Sequence, residues 1–153
     1  MFIRNVVRTL NHRRVRYALI GGYAVALHGA VRGTVDVDIV IASSRATFER
    51  AEAALQAIGL ESRLPVTATE VFEFREEYIQ KRNLKAWSFS NPRNPLDIVD
   101  ILITEDAGKI STVTKRAFDL NIKVAAIPDL IALKRKSGRA QDLEDIKALE
   151  KLL

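Results

Sequence analysis

Residues 17–41, YALIGGYAVALHGAVRGTVDVDIVI, constrain the fold more than any other part of the chain. The β-like run Arg16 to Ile20 stops at Gly21-Gly22, Tyr23 to His28 reads as a helix stopped by Gly29, and Val35 to Ile41 is β-branched apart from two aspartates. In a strand, Asp36 and Asp38 alternate with Val37 and leave the same face with Cα atoms roughly 6.5–7 Å apart, which suits two acids sharing a hard cation. Like charges on a partly apolar surface are disfavoured until a metal or basic partner neutralises them. The plain alternative is an exposed edge strand with a solvated acidic face. Gly21-Gly22, between strand and helix, would let backbone N–H groups and the positive helix end approach phosphate oxygens, or would simply make a tight turn. Twelve residues separate Tyr23 from Asp36, enough for one helix and a return strand, so glycines and acids would meet at one sheet edge.

At 153 residues the chain is expected to form one domain, residues 1–153, with a core at 15–125 and C-terminal helices at 128–153. The absence of cysteine excludes disulfide scaffolds, thiolate metal sites and thiol nucleophiles. Lys and Arg outnumber Asp and Glu by 24 to 19, a modest excess favouring polyanionic partners such as nucleotides or RNA. The N-terminus lacks the pattern of a signal peptide, and the apolar stretch Tyr17 to Val31 is shorter than the roughly 20 residues of a membrane span, so a cytoplasmic protein without a membrane partner is expected.

Elsewhere the periodicity predicts an opening helix at 1–12 and a helix from the N-cap Ser44 to Gly59. Residues 60–90 read mainly as strands: Val71 to Phe74 alternates apolar and acidic, Glu76 to Arg82 is open to strand or helix, and Ala86 to Phe89 is extended. The turn NPRNP, Asn91 to Pro95, feeds a strand LDIVDILI at 96–103 that pairs with the AWSF run. A polar helix or loop at 106–118, a short strand at 122–125 and two helices after Pro128, separated at Gly138, complete the chain. Trp87, Phe89 and Tyr78 are expected in packing roles, and His28 as a structural residue. Arg32 and Thr34, just before the Asp-x-Asp strand, are positioned for Arg to meet phosphate and Thr to orient the turn, or else form a plain basic loop.

The residues Gly21, Gly22, Asp36 and Asp38 resemble the nucleotidyltransferase superfamily typified by DNA polymerase β, and within it the abortive-infection and small antibiotic nucleotidyltransferases more than the minimal antitoxins with their Gly-Ser-Arg. The resemblance is strong over 17–41 and loose over 96–150. It implies an α/β (α+β) fold, a mixed sheet packed by helices with the active site at one open edge. It also implies transfer of a nucleoside monophosphate from a nucleoside triphosphate to a hydroxyl of a protein, an RNA end or a small molecule. The cofactor would be two Mg2+ ions, with Mn2+ as the alternative, held by Asp36, Asp38 and a third acid. Asp100, inside an apolar run where an idle carboxylate is costly, is preferred to Asp97; their opposite parity lets only one face the site. Tyr23 stands where the superfamily most often has Ser and removes a hydroxyl contact to phosphate. By the same resemblance Lys134 and Asp142 lie near the nucleotide, joining Gly21, Gly22, Tyr23, Arg32 and Thr34. The alternative is a catalytically weak toxin or antitoxin component that acts by binding a cognate protein.

Overall fold

The computed structural model describes residues 1–153. Its helices are α1 (Phe2–His12), α2 (Gly21–Leu27), α3 (Arg45–Ala57), α4 (Ala68–Glu73), α5 (Arg75–Arg82), α6 (Ile127–Ser137) and α7 (Ala140–Glu150). Its strands are β1 (Tyr17–Ile20), β2 (Val37–Ile41), β3 (Glu61–Ser62), β4 (Ala86–Asn91), β5 (Asn94–Leu102), β6 (Thr112–Ala117) and β7 (Leu120–Ala125). The strands form one mixed sheet in the order β3-β4-β5-β2-β1-β7-β6. β2 lies antiparallel to β1 and parallel to β5, and β1 lies parallel to β7. No helix is long and apolar enough to cross a membrane.

Strand register separates core from chemistry. Trp87, Ile101, Ile39, Leu19 and Val124 are consecutive partners across five strands, and all are fully buried. Their face is covered in part by α3, whose Phe48 stacks on Trp87 at 6.0 Å, and by α1, whose Ile3, Val6, Val7 and Leu10 are buried. One residue along, the partners are Ser88, Asp100, Asp38 and Ile20. Because side chains alternate, this second row points to the opposite face. Trp87 and Phe89 are core residues, Tyr78 packs against the core, and His28 Nε2 lies 2.8 Å from the carbonyl of Ala125.

Several elements differ from expectation. Residues 68–82 form two helices rather than strands. Thr67 and Glu70 make a reciprocal capping box that starts α4, and Glu76 and Glu77 open α5 while Lys81 and Arg82 close it, complementing its dipole. The alternation around Val71 is therefore not a strand signal: Val71 is buried and Phe72 meets Phe48 edge-on at 5.4 Å. Residues 112–117 form β6 rather than a helix or loop, joined to β7 through Phe118 and Asp119, both with positive φ (54° and 60°). That is the backbone of a mirror-type hairpin turn, made here without the usual Asn-Gly. α2 begins at Gly21 itself, and β2 begins at Val37, leaving Asp36 in the preceding bend.

Candidate active site

The apolar runs around Asp38 and Asp100 make strands, and parallel pairing of β2 and β5 sets the two carboxylates side by side. Asp36 sits one residue ahead of β2. All three line a cleft of about 510 Å³. The expected open edge is thus an open face on the central strands β2 and β5. Ile20, Ala86, Leu102, Leu130 and Leu133 give the cleft apolar wall, and Lys85, Lys134, Ser137, Arg139 and Asp142 add polar groups. Asp97, of opposite parity to Asp100, does not line it.

The electrostatics of the acids are those of a crowded set. Burial raises the pKa of Asp38, and repulsion from Asp100 and Asp36 adds to it, pushing it up to about 7 against the pull of Arg139 and Lys134. Asp36 is raised by burial and then by Asp100, with Arg63 opposing. Ser88 Oγ donates to Asp100 Oδ1 from the neighbouring strand, leaving Oδ2 free of protein partners.

The glycine pair makes room for this set. Gly21 has φ +72°, and a Cβ there would lie 2.2 Å from Asp38 Oδ2. A Cβ on Gly22 would lie 2.6 Å from Thr34 Cβ. Gly21 therefore lines the cleft against Asp38, while Gly22 is buried beneath the loop that carries Thr34 and Asp36. Thr34 packs on Gly22, with its hydroxyl 3.4 Å from the carbonyl of Asp36, and Tyr23 is half-buried against the core. Neither lines the cleft.

Arg32 differs from expectation too. It does not line the cleft: its Nε donates to Asp145 on α7 at 3.1 Å. Lys134 is buried and donates to Asp145 at 2.8 Å, with Asp142 at 3.7 Å. Arg139 grips Asp142 at 2.9 Å. Burial alone would raise both aspartates, but the hydrogen bonds from Arg139 to Asp142, and from Lys134 and Gln141 to Asp145, hold both below the usual carboxylate range. Lys134 and Asp142 do line the cleft. Lys85, Ser88 and Asp145 carried no motif that would place them here. Asp145 alone left a trace, since an aspartate at helical spacing from Leu149 falls on an apolar stripe.

The donor set suits a divalent cation. Three carboxylates on one face, with the most buried disfavoured as an anion, form an oxygen-only site whose repulsion a hard cation relieves. As placed, no three acidic or histidine side chains are grouped closely enough to hold a metal ion, so a bound cation would have to draw these carboxylates together.

No family model matches the chain, and no curated protein matches its sequence. Solved structures do match its shape. The lincosamide antibiotic adenylyltransferase LnuA, lincomycin-bound, superposes with a TM-score of 0.63 at 17% identity, over 99% of this chain and 96% of that one. ANT(2")-Ia in complex with adenylyl-2"-tobramycin gives 0.62 at 10% identity, over 98% and 90%. An antigenic nucleotidyltransferase-like protein from Paracoccidioides brasiliensis gives 0.58 at 17%, over 95% and 72%. At such identities the likeness speaks for architecture, and together with the strand order it establishes that this chain has the nucleotidyltransferase fold.

Proposed function

We propose that the protein is a Mg2+-dependent nucleotidyltransferase that moves a nucleoside monophosphate from a nucleoside triphosphate to a hydroxyl acceptor. The observation that carries this reading is the pairing of Asp38 with Asp100 across adjacent parallel strands, with Asp36 beside them in one cleft. Asp36, Asp38 and Asp100 would hold two Mg2+ ions, which when bound neutralise charge on the entering and leaving oxygens of an in-line displacement. The acceptor oxygen bonds to the α-phosphorus as the bond to the β-bridging oxygen breaks and pyrophosphate leaves. Asp100 Oδ2, free while Oδ1 accepts from Ser88, takes the acceptor's proton. Lys85 and Arg139, on the cleft wall, face the phosphates. Gly21 and Gly22 support the site by admitting Asp38 and seating the Thr34 loop, and Arg32, Lys134 and Asp142 support it by fixing that loop and the C-terminal helices. A small hydroxylated molecule is the favoured acceptor, because the cleft is open and two of the similar structures carry such molecules.

Isothermal titration of each nucleoside triphosphate with and without Mg2+ tests the reading. Mg2+-dependent binding that disappears in Asp36→Ala/Asp38→Ala is expected. A folded protein that binds no triphosphate would sink it. Mass spectrometry after incubation with Mg2+, triphosphate and cell extract then separates small-molecule, RNA-end and protein acceptors.

A second reading, a toxin or antitoxin component acting by protein binding, draws on exposed apolar side chains beside the site. Val31 is fully exposed, and Val35 and Leu143 are more than half exposed, on the Arg32 loop and on the helix it pairs with. It predicts that a biological effect survives in the same double variant.

A further inference from the structure

Residues 1–35 contain six arginines, no lysine and no acid. The rest of the chain holds the other 18 cations and all 19 acids, so the whole positive excess belongs to the N-terminal segment. The fold sends Arg32 to an ion pair with Asp145 and gathers most of the rest on one surface. α1 buries its apolar stripe and exposes Arg4, Arg8 and His12 at four-residue spacing, a line with neighbours about 5–6 Å apart. Beyond it, exposed Arg14 and Arg16 join Lys123 of β7 around a second cleft of about 520 Å³. At its base the buried Tyr17 hydroxyl donates to Asn11 Oδ1 at 3.0 Å.

Apart from Arg32, this charge has little internal use. None of Arg4, Arg8, Arg14, Arg16 or Lys123 is in an ion pair, whereas Lys81, Arg135, Lys136, Arg139 and Lys147 each meet a carboxylate at 2.9–3.5 Å. The α1 C-terminus carries about half a negative charge, which one cation satisfies. Of the nearby acids, Asp106 is occupied by the N–H groups of Ser43 and Gly108 and acts on Arg16 only from beyond ion-pair distance, and Asp119 sits at the β6–β7 turn.

We propose that this N-terminal face binds the phosphate backbone of a polynucleotide. Guanidinium forks match phosphate oxygens in pairs. A membrane surface fits less well, because the apolar stripe of α1 is already buried in the core. An acidic protein fits less well, because α1 presents only Arg, Asn and His side chains outward between Arg4 and His12 and offers no apolar centre for an interface. Backbone contacts carry no base information, so recognition is indifferent to sequence. α1 covers the sheet face opposite the acids, Arg14, Arg16 and Lys123 line a cleft separate from the one that holds them, and the proposal is independent of the nucleotidyl-transfer reading.

Fluorescence anisotropy with labelled single-stranded RNA, titrated from about 50 to 200 mM salt, tests the proposal. Binding that weakens steeply with salt is expected. Arg8→Gln/Arg14→Asn/Lys123→Gln should lower the log–log slope by about 2, at roughly 0.7 for each lost contact, while keeping Mg2+-triphosphate binding. Arg82→Gln/Arg93→Gln/Lys151→Gln removes three exposed cations elsewhere and should bind as wild type. If the first variant does not fold, Arg4→Gln/Arg8→Gln carries the test with a slope change of about 1.4. Equal losses in the N-terminal and control variants, unchanged binding in the N-terminal one, or capture of phosphatidylserine vesicles or polyglutamate in place of RNA would overturn it.

Discussion

At the scale of single residues, Gly21 and Asp38 are one unit. The backbone turns at φ +72°, and the carboxylate occupies the space a methyl group would need. Gly21→Ala therefore incurs both left-handed strain and a clash with a side chain fixed in a central strand. Denaturant unfolding should show a loss of about 2–4 kcal/mol, with Mg2+-triphosphate affinity falling alongside as Asp38 is displaced. Gly33→Ala, with nothing within 4 Å, should be near neutral in both measurements. The glycine pair, Asp38 and Asp100 were legible in the sequence because each breaks a local rule: carboxylates inside β-branched runs and glycines at a strand's end. What each glycine makes room for was not legible, because Asp38 and Thr34 arrive only through the fold. Lys85 and Ser88 were equally silent, being ordinary polar residues until β4 pairs with β5.

At the scale of elements, α6 and α7 form a clamp whose ion pairs reach back to the Arg32 loop. Asp145 has a folded-state pKa below its ordinary value of 3.8, so its stabilising contribution is present above that value and is lost as pH falls through the folded one. Asp145→Asn should cost roughly 3 kcal/mol at pH 7, since Lys134 is left with only the more distant Asp142. Melting curves of wild type and variant should begin to converge as pH falls below 3.8; a gap that is constant with pH would refute the ion-pair account. Elements were read well where a cap and a period agreed, as in α3 after Ser44 or α6 before Gly138. They were misread at 68–82, where the Thr67-to-Glu70 box was present but a short apolar alternation outweighed it, and at 112–117, where the hairpin turn lacks the usual residues.

At the scale of the whole molecule, one apolar cluster joins the sheet to its helices, with Trp87 at the β4 end of the buried row. Trp87 is the only tryptophan, so its fluorescence reports the core where β4 meets α3, while circular dichroism reports all helices. The two melts should coincide, as expected for one cooperative unit; a separate early transition in the dichroism would mean that α6 and α7 unfold on their own. The mixed sheet was foreseeable, whereas the placing of its acids on central strands depended on long-range pairing order. That pairing also bears on how such a chain can change over generations. Substitutions along β2 and β5 alter one side chain at a time, but a single-residue insertion between Val99 and Ile101 would turn Asp100 into the Trp87 layer and bring a core residue out in its place. Loops on this scaffold are free to lengthen and diverge, while the two acid strands can drift in composition but not in length.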